Sequence, residues 1–299
     1  MLKISYGMGV DSTAMLVGMR QRGIRPDVIM FANTKGEKRR TYAYRAIIDA
    51  WLERVGFPAI IEVAYEPTRA PYTTLEEKCF ANETLPSLAF GGHSCSTIFK
   101  KDQQEKFLST YPPAMEVWAR GEKVVVAIGY DCGPRDSRRS KIKDDDRYSY
   151  CYLLQQWGWD REECERQILA AGLPLPPKSS CTFCPAMRRE EVIELKREEP
   201  DKFRRGVAME INARQGKHGL TSAAGLGRHW SWLELADRTD IPSEIRVTKL
   251  GIGKIDIEIV YEPHEPGTVP TTIVNGSAAS VIPGRIAPPG QEVEEVEEV

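Results

Sequence analysis

The chain has 299 residues, 41% hydrophobic and 28% charged, with a formal net charge of −2. That balance fits a globular protein of one large or two small domains, and it supplies no overall basic field for nucleic acid. No apolar run is long enough to span a membrane and nothing reads as an export signal, so a cytoplasmic setting without membrane partners is expected.

Leu2 to Tyr6 reads as a short strand, Gly7-Met8-Gly9-Val10-Asp11 as a turn, and Ser12 to Met19 as the start of a helix. A strand running through glycines into a helix N-terminus suits phosphate. Glycine lets backbone approach an anion, and the open N–H groups and positive dipole end hold it. Asp11 or Ser12 is placed to cap that helix. The turn lacks the Gly-Lys-Ser/Thr of a P-loop, and Ser12 stands where a dinucleotide fingerprint has its third glycine. Glycines serving only a tight turn are the competing explanation.

Asp27 to Ala32 is a buried-strand run. Glu37 to Val55 carries helical spacing (Tyr44, Ile47, Ile48, Trp51, Leu52, Val55), ended by Gly56 with Pro58 beyond. Ala59 to Ala64 is a third strand. Tyr72 to Tyr111 reads as helical, broken at Pro86 and Gly91-Gly92. Lys123 to Gly129 is a fourth and strongest strand. Strands separated by helices predict an α/β fold: a doubly wound, mainly parallel sheet with both faces covered. Ligands bind such sheets at the strands' carboxyl ends. That edge would carry Gly7 to Ser12, Asn33 to Glu37 and Tyr130 to Arg139.

Further helices are expected over 160–171, 188–198 and 201–215, with a proline-rich break at Leu173 to Lys178. Residues 243–262 alternate as a β-hairpin around Gly251-Ile252-Gly253. The stretch beyond Glu262 is rich in Pro, Gly and Ser and ends in an acidic run from Glu292. The expected organisation is an α/β domain over 1–235, a small β appendage over 236–265 and a disordered tail over 266–299.

Seven cysteines, at 79, 95, 132, 151, 164, 181 and 184, are an odd number in a large chain, so a disulfide framework is not expected. Cys181-Thr182-Phe183-Cys184-Pro185 is the exception that points to chemistry. A two-residue spacer aims two thiolates at one metal or cluster, and proline after the second is common in cluster loops. Cys95 is the best third ligand and His93 a possible fourth; reduced, packed thiols are the alternative. Cys79, Cys132, Cys151 and Cys164 read as packing residues. Arginines in Gly129 to Arg139 can clamp phosphate at a strand end, or belong to a solvated loop. Glu37 can hold magnesium or a ribose, or act as a helix first-turn acid. The run Tyr148, Tyr150, Tyr152, Trp157, Trp159 can stack a base or pack the core. His218, His229 and His264 lack ligand-like neighbours.

In chain order these pieces are the Asp11-Ser12 turn, Thr34-Lys35-Gly36-Glu37 with Thr41-Tyr42, Ser94-Cys95-Ser96, Gly129 to Ser137-Arg138, and Cys-x-x-Cys-Pro. Together they resemble the phosphoadenosine phosphosulfate reductase-like branch of the adenine-nucleotide α-hydrolase (PP-loop ATP pyrophosphatase) superfamily, over roughly residues 1–235. The superfamily loop usually reads Ser-Gly-Gly-x-Asp-Ser; here Gly7 replaces the first serine and Met8 the first glycine. The resemblance implies a HUP-type α/β fold with a helical, Cys-containing insert. It implies ATP with Mg2+ at Ser5, Gly7, Gly9, Asp11, Ser12, Thr34, Gly36, Glu37 and Gly129, with Asp11, Glu37 and Arg138 in catalysis. It also implies a 4Fe-4S cluster, or zinc instead, on Cys95, Cys181 and Cys184.

The activity this implies is cleavage of ATP between the α- and β-phosphates to adenylylate an acceptor, nucleic acid or small molecule, for sulfur transfer from a sulfur donor. Two alternatives stay open. One is a sulfonucleotide reductase using an external thiol reductant, although the catalytic C-terminal Glu-Cys-Gly of those enzymes has no counterpart, the last cysteine being Cys184. The other is a nucleotide- or nucleic-acid-binding subunit with a structural metal.

Overall fold

The computed structural model describes residues 1–217, 219–220, 222–263, 268–282 and 285–286. The chain opens with β1 (Leu2–Ser5), α1 (Val10–Gln21), β2 (Val28–Asn33), α2 (Arg39–Val55) and β3 (Ile60–Ala64). The insert follows: α3 (Leu75–Ala81), a 3-10 turn at Ser87–Phe90, α4 (Ser94–Ser96) and a π-helical turn at Thr97–Lys101. Next come α5 (Asp102–Leu108), α6 (Pro112–Ala119), β4 (Val124–Ile128), α7 (Pro134–Arg139), β5 (Tyr148–Cys151), α8 (Leu153–Gln156) and α9 (Arg161–Ala170). The last part holds α10 (Arg189–Glu198), α11 (Pro200–Gln215), β6 (Glu244–Gly251), β7 (Lys254–Val260), β8 (Thr271–Val274), β9 (Ser277–Ile282) and β10 (Arg285–Ile286).

These elements form two compact units. The first is Met1–Ala64 with Ile98–Ser179; the second is Tyr65–Thr97 with Ser180–Val299. The first unit is an α/β fold built on a five-stranded sheet of order β3-β2-β1-β4-β5, with every pairing parallel. β2 shows why such strands read as unbroken apolar runs. Ile29 and Phe31 enter a core with Leu16 of α1, Ile48 and Trp51 of α2 and Ile168 of α9. Val28 and Met30 enter a second core, on the other face, with Leu108, Ala114 and Val117. Burying both faces removes the alternation that would mark a half-exposed strand.

Helix α2 ends where the sequence places its stop, at Gly56 with φ 73°. β5 is an element that the sequence reading did not separate from its aromatic run. Tyr148 is buried edge-on against Trp118, with ring centroids 5.8 Å apart. Trp157 and Trp159 pack on each other at 5.3 Å, with Arg22 over both rings. Those rings therefore serve packing. The central β1 also carries a buried lysine, Lys3, whose pKa burial lowers to about 8 against the opposing pull of Glu105.

The second unit packs Phe80 of α3, Phe203 of α11 and Trp232 into its interior, the last two rings stacked at 5.9 Å. Glu210 of α11 is fully buried. It accepts from the Leu226 and Trp232 amides (2.9 and 3.0 Å), from Arg214 (3.0 Å) and from the Ser231 hydroxyl. A buried carboxylate is tolerable only with its oxygens filled this way, and here it fastens the 226–232 segment to α11. The mixed sheet has order β10-β9-β8-β6-β7. β6 and β7 form the expected hairpin. β8 and β9 lie in the stretch that the sequence reading gave to a disordered tail. Their connection is Asn275-Gly276, at φ 47° and 88°, a primed two-residue turn that fixes an antiparallel hairpin. The acidic run from Glu292 lies outside the described residues, as do His218 and His264. Among the described residues no helix is long and apolar enough to cross a membrane.

Candidate functional site

The carboxyl edge of the parallel sheet in the first unit collects the sequence-marked segments. β1 leads into the 6–9 turn and α1, β2 into 34–38 and α2, and β4 into 129–139 and α7. Helix α1 begins one residue before Asp11, with Gly9 as N-cap. Asp11 and Ser12 therefore sit inside the first turn rather than capping it. Ser12 instead reaches back: its Oγ accepts from the amides of Gly7 (3.3 Å) and Gly9 (3.4 Å) and donates to the Gly9 carbonyl (3.2 Å). The hydroxyl closes the turn into a small ring in front of first-turn N–H groups that have no intrahelical partner.

The strained residue of this turn is Met8, with φ 54°, and not either glycine. A left-handed conformation costs a side-chain-bearing residue about 1–2 kcal/mol. Met8 is 1% exposed and belongs to the core cluster beneath. Burying a methionine is worth about 1.5–3 kcal/mol, so the side chain offsets the strain and pins the turn. Gly129 is required for another reason. A Cβ there would lie 2.8 Å from the Ser12 nitrogen and 2.9 Å from its Cα. Glycine thus lets the end of β4 press against the first turn of α1. A Cβ on Gly9 would meet the Ser179 side chain, its hydroxyl at 2.8 Å.

Asp11 is three-quarters buried, and its Oδ1 receives Arg161 of α9 at 3.2 Å. Burial raises its pKa to about 6; Arg161 opposes the rise, while Asp131 and Asp136 of the β4–α7 loop add to it. Asp131 turns its own loop, accepting from the Gly133 amide at 2.8 Å. Asp136 is buried and paired with Arg139 at 2.9 Å. Arg139 lies over the Tyr130 ring at 4.5 Å, and Tyr130 stacks on Tyr152 at 5.7 Å. Arg138 is exposed, its Nε donating to the Pro134 carbonyl of its own helix at 3.1 Å. The edge thus presents helix-terminal amides next to a carboxylate with a raised pKa, paired with Arg161 and repelled by two further acids.

The β2–α2 corner is a second cluster. Asn33 accepts from the Lys35 amide (2.7 Å) and the Tyr42 hydroxyl (2.8 Å) and donates to Glu62 (2.9 Å). Lys35 takes φ 58°, and the buried Thr34 hydroxyl accepts from the Gly36 amide at 3.4 Å. This fixes the approach of Glu37, whose side chain is 2% exposed with Lys100 3.6 Å from Oε1. Ser5, at the end of β1, donates to Gln104 of α5 at 3.3 Å.

The cysteines expected to bind a cluster lie in the second unit. Cys181 and Cys184 are joined through a turn, the Cys184 amide donating to the Cys181 carbonyl at 3.1 Å. Cys95 is half-buried, and its amide donates to the Ser87 hydroxyl at 3.2 Å. Cys79, read from sequence as a packing residue, is 1% exposed and feels both Cys95 and Cys181, but burial is the main cause of its raised pKa. Among the described residues no group of three His, Cys, Asp or Glu side chains is disposed to hold a metal ion. The Cys95, Cys181 and Cys184 thiols do not form a ligand set as they stand. None of the seven cysteines is in a disulfide. His93 and His229 are exposed.

Sequence reasoning missed Arg161, Asp131, Asp136 and Lys100. Asp131 and Asp136 lie in a loop it had marked. Arg161 and Lys100 carry no local signal, since packing of α9 and the π-helical turn after α4 delivers them.

No family model and no curated protein matches this chain. Among solved structures it is similar to the U34-tRNA thiolase NcsA from Methanococcus maripaludis, determined with its [4Fe-4S] cluster. The TM-score is 0.35 and the identity 12%, over 75% of each chain.

Proposed function

We propose that this chain is an adenine-nucleotide-dependent enzyme that cleaves ATP between the α- and β-phosphates and adenylylates an acceptor, for sulfur transfer. The observation that carries this reading is the Asp11–Ser12 turn. It stands at the carboxyl end of a central strand of a parallel sheet, closed by the Ser12 hydroxyl and pressed by Gly129. Such a turn offers backbone N–H groups and a helix dipole to a leaving pyrophosphate. The marked segments 34–37 and 129–139 lie on the same sheet edge, where a nucleotide on such a fold is bound. The sulfur-transfer part rests on the sequence order of these motifs alone, since Cys95, Cys181 and Cys184 are not disposed as a ligand set.

On this reading the residues take the following roles. Ser12 holds the turn that receives the phosphates. Asp11 would offer a carboxylate oxygen to the magnesium ion that accompanies the triphosphate, and Arg161 orients that carboxylate. Arg138, exposed on α7, is free to swing toward a bound anion once its own-helix bond is released.

The test is isothermal calorimetry with ATP plus magnesium and, separately, adenosine phosphosulfates, on anaerobically purified protein and on Asp11→Ala. Tight ATP binding that the substitution abolishes supports the reading. Preference for a phosphosulfate replaces it with a sulfonucleotide reductase using an external thiol. Binding of neither overturns the nucleotide site. Iron, acid-labile sulfide and zinc content of the same preparation separate a cluster, a zinc site and bare thiols on Cys95, Cys181 and Cys184.

A further inference from the structure

Gly9 is the N-cap of α1, a position where Ser, Thr, Asp or Asn usually brings a side-chain oxygen to the first-turn amides. Its backbone does not call for glycine, since φ −107° and ψ 176° are extended values open to any residue. The space its Cβ would fill is flanked instead by Ser179. The Ser179 hydroxyl lies 2.8 Å from that point and the Ser179 Cβ 3.7 Å, and no other atom beyond the chain neighbours of Gly9 comes within 4 Å.

The proline-rich segment before Ser179 delivers this hydroxyl. Leu173 is anchored in the core shared with α1 and α2, the Tyr44 hydroxyl of α2 donates to the Pro174 carbonyl at 3.0 Å, and Pro176 is buried. Pro174, Pro176 and Pro177 stiffen the backbone between these anchors. Ser179 therefore reaches the turn on a fixed arm. Its side chain is half-buried, and its hydroxyl makes no hydrogen bond among the described residues.

The donors beside it are open as well. The amides of Val10, Asp11 and Ser12 precede the first intrahelical bond, which runs from the Thr13 amide to the Gly9 carbonyl at 3.0 Å. The Ser12 hydroxyl is already engaged within the turn. A free hydroxyl and a set of free amides thus meet at one helix start, all able to donate. An oxyanion answers such a set.

We propose that Ser179 is a phosphate-binding residue of the nucleotide site: its hydroxyl takes the place of a cap side chain at Gly9 and donates to an oxygen of the pyrophosphate half of ATP. This rests on the nucleotide reading above and adds a residue to it from outside the turn. Gly9 is glycine so that the hydroxyl can stand over the turn; a Cβ there would turn it away.

The experiment is calorimetric titration of the full chain with Mg-ATP and, separately, Mg-pyrophosphate. Wild type is compared with Ser179→Ala, Ser179→Thr, Gly9→Ala and the double variant Gly9→Ala/Ser179→Ala, with thermal unfolding of each run alongside. Ser179→Ala should keep its melting temperature and bind both ligands about ten- to hundred-fold more weakly, the range for a hydrogen bond to a charged group. Ser179→Thr keeps the hydroxyl and should keep the affinity. Gly9→Ala probes the same contact from the other side and should reproduce the loss by displacing the hydroxyl. The double variant should then bind no more weakly than the weaker single one. Ser179→Ala binding both ligands as tightly as wild type, or more tightly, overturns the role of Ser179 and leaves the nucleotide reading intact. A loss seen with Mg-ATP but not with pyrophosphate overturns it as well, as do losses that add in the double variant. Wild-type binding of neither ligand overturns the nucleotide reading and the place of Ser179 in it.

Discussion

Asp11→Asn separates what this carboxylate does for the fold from what it does for a ligand. The side chain is mostly buried, and burial lifts its pKa from the usual 3.8 of an aspartate to about 6. A raised acid pKa means that the folded protein binds a proton more tightly than the unfolded chain does. Wild-type stability therefore falls as pH rises from about 4 to about 6, and the penalty is fully present above that window. Two pKa units correspond to about 3 kcal/mol. The side chain retains some exposure and Arg161 loses an ionic partner, so about 2 kcal/mol should survive. An asparagine has no such charge. The variant should be about 2 kcal/mol more stable than wild type at pH 7.5 and no more stable at pH 3.5. Its calorimetric affinity for Mg-ATP should drop at least about tenfold, since the charge that burdens the fold is the one the ligand uses. Urea unfolding at pH 3.5, 5 and 7.5 measures the first part. A variant less stable at pH 7.5, or a difference that stays constant across those pH values, would refute the reasoning.

Lys3 gives the opposite pH dependence. Its lowered pKa, about 8, means that the folded state releases the proton first, so wild type gains stability from pH 8 to about 10.5. Lys3→Met should raise the unfolding free energy at pH 7 by an amount on the order of 2–3 kcal/mol, and little at pH 10.5, as read by urea unfolding. Met8→Gly relieves about 1–2 kcal/mol of backbone strain but loses a buried side chain and leaves a cavity; thermal melts should show a net loss of about 1–2 kcal/mol. Glu210→Gln breaks a fully buried carboxylate with four donors and should cost about 3–5 kcal/mol in denaturant unfolding. Gly129→Ala should both weaken Mg-ATP binding in calorimetry and lower the melting temperature, because its Cβ would push on the backbone of the first turn of α1.

Much of the first unit is legible in the sequence alone. Apolar runs at 28–33 and 124–128, separated by helices with clear stops such as Gly56, determine a parallel α/β sheet, because only buried strands can afford such runs. The Gly7–Ser12 turn at a strand end marks the candidate anion site by the same local logic. Other features depend on chain segments far apart in sequence. Tertiary packing alone brings Arg161 to Asp11, 150 residues away, and raises the Asp11 pKa through burial. It sets Lys100 against Glu37 and leaves the Glu37 and Thr41 oxygens unfilled. It turns an apparent tail into strands β8 and β9, because the Asn275-Gly276 turn pays off only when β6 offers an edge to join. Local periodicity records which face of an element is buried. Charge placement, pKa and strand partnership are properties of what buries it, and those only the folded chain decides.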